Sequence, residues 1–203
     1  MAASITQQWQ LGSYHVTVSA NAAQAGLLPA VLSTLRQHHQ HTGALREGDR
    51  IRFGWSELIL VQQADGILQL GEPDFDGDPA QGIVPSICQT LEVYSEQLAL
   101  AEQMGVKPEW TAYDETVLVE TGCLAADKLF LQRFEPEVWM PDSGWSVSLA
   151  SNDPGRMVQH ELLPIWQLLR AYPHLAPALI LPEGYGVLLE HGDIVQVWVV
   201  DDR

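Results

Sequence analysis

The sequence predicts an α+β protein, with a mixed, mostly antiparallel sheet or sheets packed by a few helices, in one or two subdomains. Three observations carry that reading. Short alternating apolar runs recur along the chain, at residues 12–20, 115–120, 145–149 and 186–190. Between them lie stretches with apolar residues at helical spacing. Turn clusters such as Ala64-Asp65-Gly66 and His191-Gly192-Asp193 separate successive runs and predict hairpins. A chain of 203 residues, 46% of them apolar, can bury a real core. The expected division is an N-terminal α+β region over residues 1–135 and a C-terminal α+β region over 136–203.

Residues 12–20 place Tyr14, Val16 and Val18 on one side of a strand. Asn21 then offers a helix N-cap, and Leu27, Leu28, Val31, Leu32 and Leu35 follow at helical spacing. The polar tail His38 to Gly43 is the exit. Residues 50–63 read as one long strand or a bent pair broken near Gly54, and Ala64-Asp65-Gly66 turns it into a strand over 67–70. A turn-rich loop over 71–82 leads to the clearest helix. Pro85 suits its first turn, Ile87, Leu91, Tyr94, Leu98 and Ala101 form its stripe, and Gly105 closes it. After a connection over 107–114, residues 115–120 and 129–134 read as strands. Residues 135–141, with two prolines, read as a seam between halves.

The Trp145 strand leads to a cap at Asp153-Pro154. Pro164 predicts a break near Leu163 and a helix through Trp166, Leu169 and Ala171, ended by Pro173 and Pro177. Residues 178–181, 186–190 and 194–200 read as strands.

The formal charge is −16. Residues 1–46 contain no acid, whereas residues 47–142 hold 19 acids against five bases. Such a field repels nucleic-acid phosphates and anionic lipid and attracts basic protein surfaces. Nucleic acid and membrane are therefore excluded as expected partners. No run approaches the roughly 18–20 apolar residues of a membrane span. The first ten residues lack the charge and apolar run of a secretory signal, so the expected location is cytoplasmic. Cys88 and Cys123 are then two reduced thiols, Cys88 a small core residue.

No constellation predicts catalysis, a cofactor or a metal. Asp74, Asp76 and Asp78 alternate like the start of a calcium loop, but that pattern needs Gly at 79 and Glu at 85, and both are proline. The loop is an ordinary turn or a partner contact. His38, His39 and His41 lack the i, i+4 pair or distant third ligand of a metal site and suit a helix C-terminus. Ser143 lies outside a Gly-x-Ser-x-Gly elbow, and no phosphate loop is present. Of seven tryptophans, Trp110 and Trp139 lie in loop-like, proline-flanked segments. Exposed beside carboxylates, they would serve as interface anchors together with Asp142.

Asp142-Ser143-Gly144-Trp145, a following helix, and Ala178-Leu179-Ile180-Leu181-Pro182-Glu183-Gly184-Tyr185-Gly186-Val187 with a closing strand carry a resemblance. Residues 141–200 resemble immunity family thirty-three, a predicted immunity-protein family of bacterial polymorphic toxin systems, marked by a Ser-Gly-Trp strand. The stretch 73–133 is similar to the leader region of its larger members. The resemblance implies a non-enzymatic inhibitor that binds a cognate toxin and occludes its functional surface. Acidity suits a basic target such as a nuclease. Family members often follow the Trp strand with an acidic cluster, whereas Ala150-Ser151-Asn152-Asp153 holds one acid. That departure shifts the expected contact to Asp74, Asp76 and Asp78. Two other classes compete: an acidic adaptor or scaffold for a basic host protein, and an enzyme with a dispersed carboxylate or His site.

Overall fold

One hairpin and a three-stranded meander, joined by one parallel pairing, make up most of the first sheet. The computed structural model describes residues 3–150 and 158–200. Strands β1 (Ser4–Leu11) and β2 (Tyr14–Asn21) pair antiparallel across a turn where Gly12 takes φ 61°. Strands β3 (Arg50–Phe53) and β4 (Ser56–Gln62) are the bent pair broken at Gly54, and β5 (Leu68–Pro73) returns after the Asp65-Gly66 turn. The order is β1-β2-β5-β4-β3, with the short β6 (Ile83–Val84) also on β5. Only β2 and β5 run parallel in this sheet.

Helix α1 (Leu28–Thr42) supplies Leu28, Val31 and Leu35 to a core shared with Val16, Val18, Leu58, Leu60 and Leu70. Gly43, at φ 74°, ends it by donating its N–H to His39 O. Helix α2 (Cys88–Met104) adds Leu91 to the same core, beside Ile87 just ahead of the helix. Its stripe is as expected, but it starts at Cys88 rather than around Pro85, because the Gln89 and Thr90 N–H groups, which would bond Pro85 O and Ser86 O, are taken by Glu72.

The second sheet is built from β7 (Thr116–Glu120), β8 (Lys128–Arg133), β9 (Asp142–Leu149), β10 (His160–Pro164), β11 (Tyr185–Glu190) and β12 (Asp193–Val199). Its order is β10-β7-β9-β8-β11-β12, antiparallel except for β7 with β9. Helix α3 (Ile165–Ala171) and a 3-10 helix (Pro173–Ile180) contribute Ile165, Leu168, Leu175, Leu179 and Ile180 to the buried set. The architecture is α+β with mixed sheets, as predicted.

The chain forms two compact units, Met1–Ser95 and Glu96–Arg203, divided within α2. The stretch read as a seam, residues 135–141, connects β8 to β9, which pair residue by residue from Arg133↔Trp145 to Leu129↔Leu149. Residues 96–135 and 136–203 thus belong to the same unit.

Several elements differ from the sequence reading. Residues 178–180 close the 3-10 helix, with Leu181 just past its end, instead of 178–181 forming a strand. A four-residue apolar run suits either state, and Pro173 and Pro177 hold φ near helical values. Residues 160–164, ahead of the expected break, form β10. β1 carries three glutamines and no strong apolar alternation, which hid it. Cys123 is the buried thiol, whereas Cys88 opens α2 and is half-buried. The cap read at Asp153-Pro154 lies outside the described residues. Among the described residues, no helix is long and apolar enough to cross a membrane.

Candidate functional site

The signature residues build the start of β9. Thr116 pairs with Asp142 and Leu118 with Ser146, so two steps along β7 face four along β9. That excess is a β-bulge. Gly144 makes it possible: its φ is 74°, and a Cβ would overlap Phe134 O. Asp142 Oδ1 accepts the Gly144 N–H at 3.1 Å. Ser143 Oγ donates to Thr116 O at 2.7 Å and accepts the Trp145 N–H at 3.2 Å. Beyond the bulge, Trp145 turns into the core, 1% exposed.

Over the Trp145 ring lies the Arg133 guanidinium, 5.8 Å from its centroid. This buried arginine donates from Nη1 to Glu109 O at 2.9 Å and Leu181 O at 2.6 Å, with Leu179 O at 3.5 Å. It thereby ties β8 to the end of the 3-10 helix, whose carbonyls favour a cation. Burial lowers its pKa, and the charges of Glu109 and Glu115 act in the opposite direction. The Ser-Gly-Trp stretch is thus a device of the fold, with Ser143 and Trp145 both hidden from solvent.

The β8–β9 connection presents the opposite chemistry. Glu137 N–H donates to Asp142 Oδ2 at 2.9 Å, and Trp139 Nε1 donates to Glu137 Oε2 at 2.8 Å. Pro141 O accepts both the N–H and the hydroxyl of Thr116, at 2.7 and 3.0 Å. Held by these bonds and by Pro136 and Pro141, the loop leaves Val138 fully exposed and Trp139 76% exposed, with Phe134 about half exposed. Carboxylates Glu135, Glu137 and Asp142 surround them in sequence. Among the described residues Val138 and Trp139 are the most exposed large apolar side chains.

Trp139 and Asp142, two of the anchors read from the sequence, are therefore joined through Glu137. Trp110, 36% exposed, sits in the connection after α2, which is pinned by Glu109 N–H to Ile180 O and by Thr111 Oγ1 to Leu179 O. Trp110 and Trp139 are the two tryptophans classed as exposed, while Trp55 and Trp145 are core.

Asp74, Asp76 and Asp78 belong to the first unit. There Asp74 Oδ1 accepts the Gly77 N–H and Asp78 Oδ1 the Ala80 N–H, both at 3.0 Å. The turn closes through the Gln81 and Gly82 N–H groups on Asp78 O, and Phe75 folds inward onto the Trp55 ring, 4.6 Å between centroids. Two of the three aspartates satisfy their own backbone. Among the described residues no group of three or more His, Cys, Asp or Glu is placed to hold a metal. His38 pairs with Asp49 at 3.1 Å, and His39 packs edge-on against Tyr14.

Among the described residues two buried carboxylates escaped the sequence reading: Glu120 on β7, which accepts the Leu149 N–H at 3.0 Å, and Glu72. Glu72, on β5, accepts the N–H groups of Gln89 and Thr90 at 3.2 and 2.6 Å, with Ser86 Oγ at 3.4 Å. It caps the first turn of α2 from another element. Burial raises its pKa, against the lowering effect of those donors. In the second unit an open cleft of about 490 Å³ is lined by Ala125, Asp127, Tyr172, His174 and His191 among others. Asp127 and His191 meet there at 3.6 Å, both largely exposed. The buried side chains of Glu72, Glu120 and Arg133 lie outside its lining and bond backbone groups.

A family model described as the Imm33-like domain matches residues 96–200. No curated protein and no solved structure gives a significant match.

Proposed function

The chain belongs to the Imm33-like domain family, and from that premise we propose that it is an immunity protein that binds a cognate bacterial toxin and neutralises it by occluding its functional surface. Family membership supports toxin binding in general. The observation that carries the rest is the 134–142 loop. It holds Val138 and Trp139 in solvent on a hydrogen-bonded frame, so little ordering entropy is lost when a partner covers them. An exposed aromatic within a carboxylate rim has the composition of an interface hot spot.

Charge sets the kind of target. A net of −16 speeds encounter with a basic surface, such as the cleft of a nuclease, and repels competing anions. On this reading the protein is an inhibitor without chemistry of its own, and it works in the cytoplasm of the cell it protects. The Asp74 to Asp78 loop has a lesser part, since Asp74 and Asp78 are committed to their own turn.

The test is co-expression with the toxin-like gene encoded beside this one. Growth rescue together with a co-purifying complex supports the proposal, and complex and rescue should both weaken in Trp139→Ala. A complex with a basic host protein, without any rescue, would instead favour the adaptor class.

A further inference from the structure

The end strands of the two sheets differ in how they are protected. Edge strands normally carry charge, proline or short length, which stop another chain from pairing with them. β3 has four residues and two arginines, both within 4 Å of Glu57. β10 is five residues with Glu161 and a terminal Pro164. β1 is long but predominantly polar. β12 is guarded only at its start, by Asp193 and by a bulge that leaves Val195 between the Ile194↔Leu189 and Gln196↔Leu188 pairs; from Gln196 to Val199 it holds no charge and no proline. Val195 is 52% and Val199 57% exposed.

The backbone of β12 is oriented for pairing. Val200 N–H donates to Gly184 O at 2.6 Å, and the register continues as Val199↔Tyr185, Trp198↔Gly186 and Val197↔Val187. Antiparallel alternation then points the Trp198 backbone groups at β11 and those of Val197 and Val199 away from it. Trp198 lies across Gly186 and stacks on Phe130 with centroids 5.5 Å apart, which fixes the strand in place. The Val199 end also neighbours the exposed loop. Gly184 N–H binds Arg133 O at 2.9 Å, just where the chain leaves β8 for residues 134–142. At about 4.8 Å per strand, β12 lies roughly 10 Å from the point where that loop leaves β8.

We propose that β12 is an open docking edge, to which a positively charged strand of the toxin adds while the Val138 and Trp139 loop grips the same partner. This rests on the immunity reading above. Charge selects the occupant. Glu190 at the β11–β12 turn is already paired with Lys128, but Asp193 opens β12, Asp201 and Asp202 follow Val200 in sequence, and the chain carries −16, so a second copy is repelled where a basic strand is attracted. Main-chain bonds would give such a complex its affinity and the alternating valines its register.

The experiment uses the full chain and an inactivated form of the toxin domain encoded beside it. Amide exchange is followed by NMR in the free protein and in the complex. The expected result is slowing of the Val197 and Val199 amides by about tenfold or more, the signature of a new ladder. Val199→Pro removes an outward N–H without breaking a bond to β11 and should weaken binding about tenfold or more, with the fold checked by its melting curve. If Trp139→Ala abolishes the complex while the two amides exchange freely and Val199→Pro binds normally, the edge proposal fails and the immunity reading stands. A free protein already dimeric, with both amides protected, would mean a second copy takes the edge and would also overturn it. No complex and no rescue with that toxin sinks both.

Discussion

Residues 74–78 and 134–142 both set carboxylates among turn residues, and they spend them differently. In the first loop Asp74 and Asp78 accept their own backbone N–H groups, and the aromatic Phe75 turns inward onto Trp55. In the second, Glu137 and Asp142 fix the loop while Val138 and Trp139 stay in water. Acidic residues therefore mark a surface less reliably than the exposure of the apolar residues beside them. A carboxylate that folds its own turn has less of its hydrogen-bonding capacity left for a partner. A carboxylate that stiffens a loop around an exposed Trp lowers what binding costs in entropy.

The sharpest way to break this contrast is to empty the core beneath the second loop. Trp145→Ala should destabilise the protein by about 3–5 kcal/mol, measured by urea unfolding, because it removes the ring packed under Arg133. Binding should then vanish through loss of fold; a well-folded Trp145→Ala that binds poorly would instead make the signature a contact surface. Next comes Trp139→Ala, whose expected change in stability is within about 0.5 kcal/mol. Its toxin affinity, read by calorimetry, should fall by about 30-fold, the size of a hot-spot loss.

Asp74→Ala tests the other loop. It should lower stability by about 1 kcal/mol, through the lost hydrogen bond to Gly77 N–H, and leave toxin affinity unchanged. A binding defect without a stability change would reverse the assignment of the two loops.

The smallest effect is expected from Glu72→Gln, followed by unfolding across pH. Burial raises the folded-state pKa of Glu72 above its unfolded value. Below the unfolded value both states hold the proton, and the contribution of Glu72 is fully present. As pH rises through the raised folded pKa that contribution is lost. The stability of the wild type relative to Glu72→Gln should therefore decline with rising pH, and a constant difference would remove burial as the dominant influence.

Much of the fold was legible because period and punctuation agreed. Leu28, Val31 and Leu35 with Gly43 specified α1, and the Gly54, Asp65-Gly66 and His191-Gly192 turns specified three hairpins. The failures fall where local signals conflict or are absent. β1 is a polar strand held by its partner, residues 178–181 are apolar enough for strand or helix, and β10 ends in a proline. Of the candidate site, the exposure of Trp110 and Trp139 followed from loop context, whereas Val138 and the open edge of β12 gave no motif to read.

By itself the sequence determined the α+β class, the acidic field and the Ser-Gly-Trp element, since composition, periodicity and turn chemistry are local properties. Tertiary structure decided what those residues are for. Gly144 has to be glycine because Phe134 O, ten positions earlier, lies against it; Asp74 is used within its turn because Gly77 N–H points at it; β12 is an edge strand because, among the described residues, it is last in the sheet order. Each depends on which neighbours the fold brings within a few ångströms, and that information is spread along the chain rather than held in any one stretch of it.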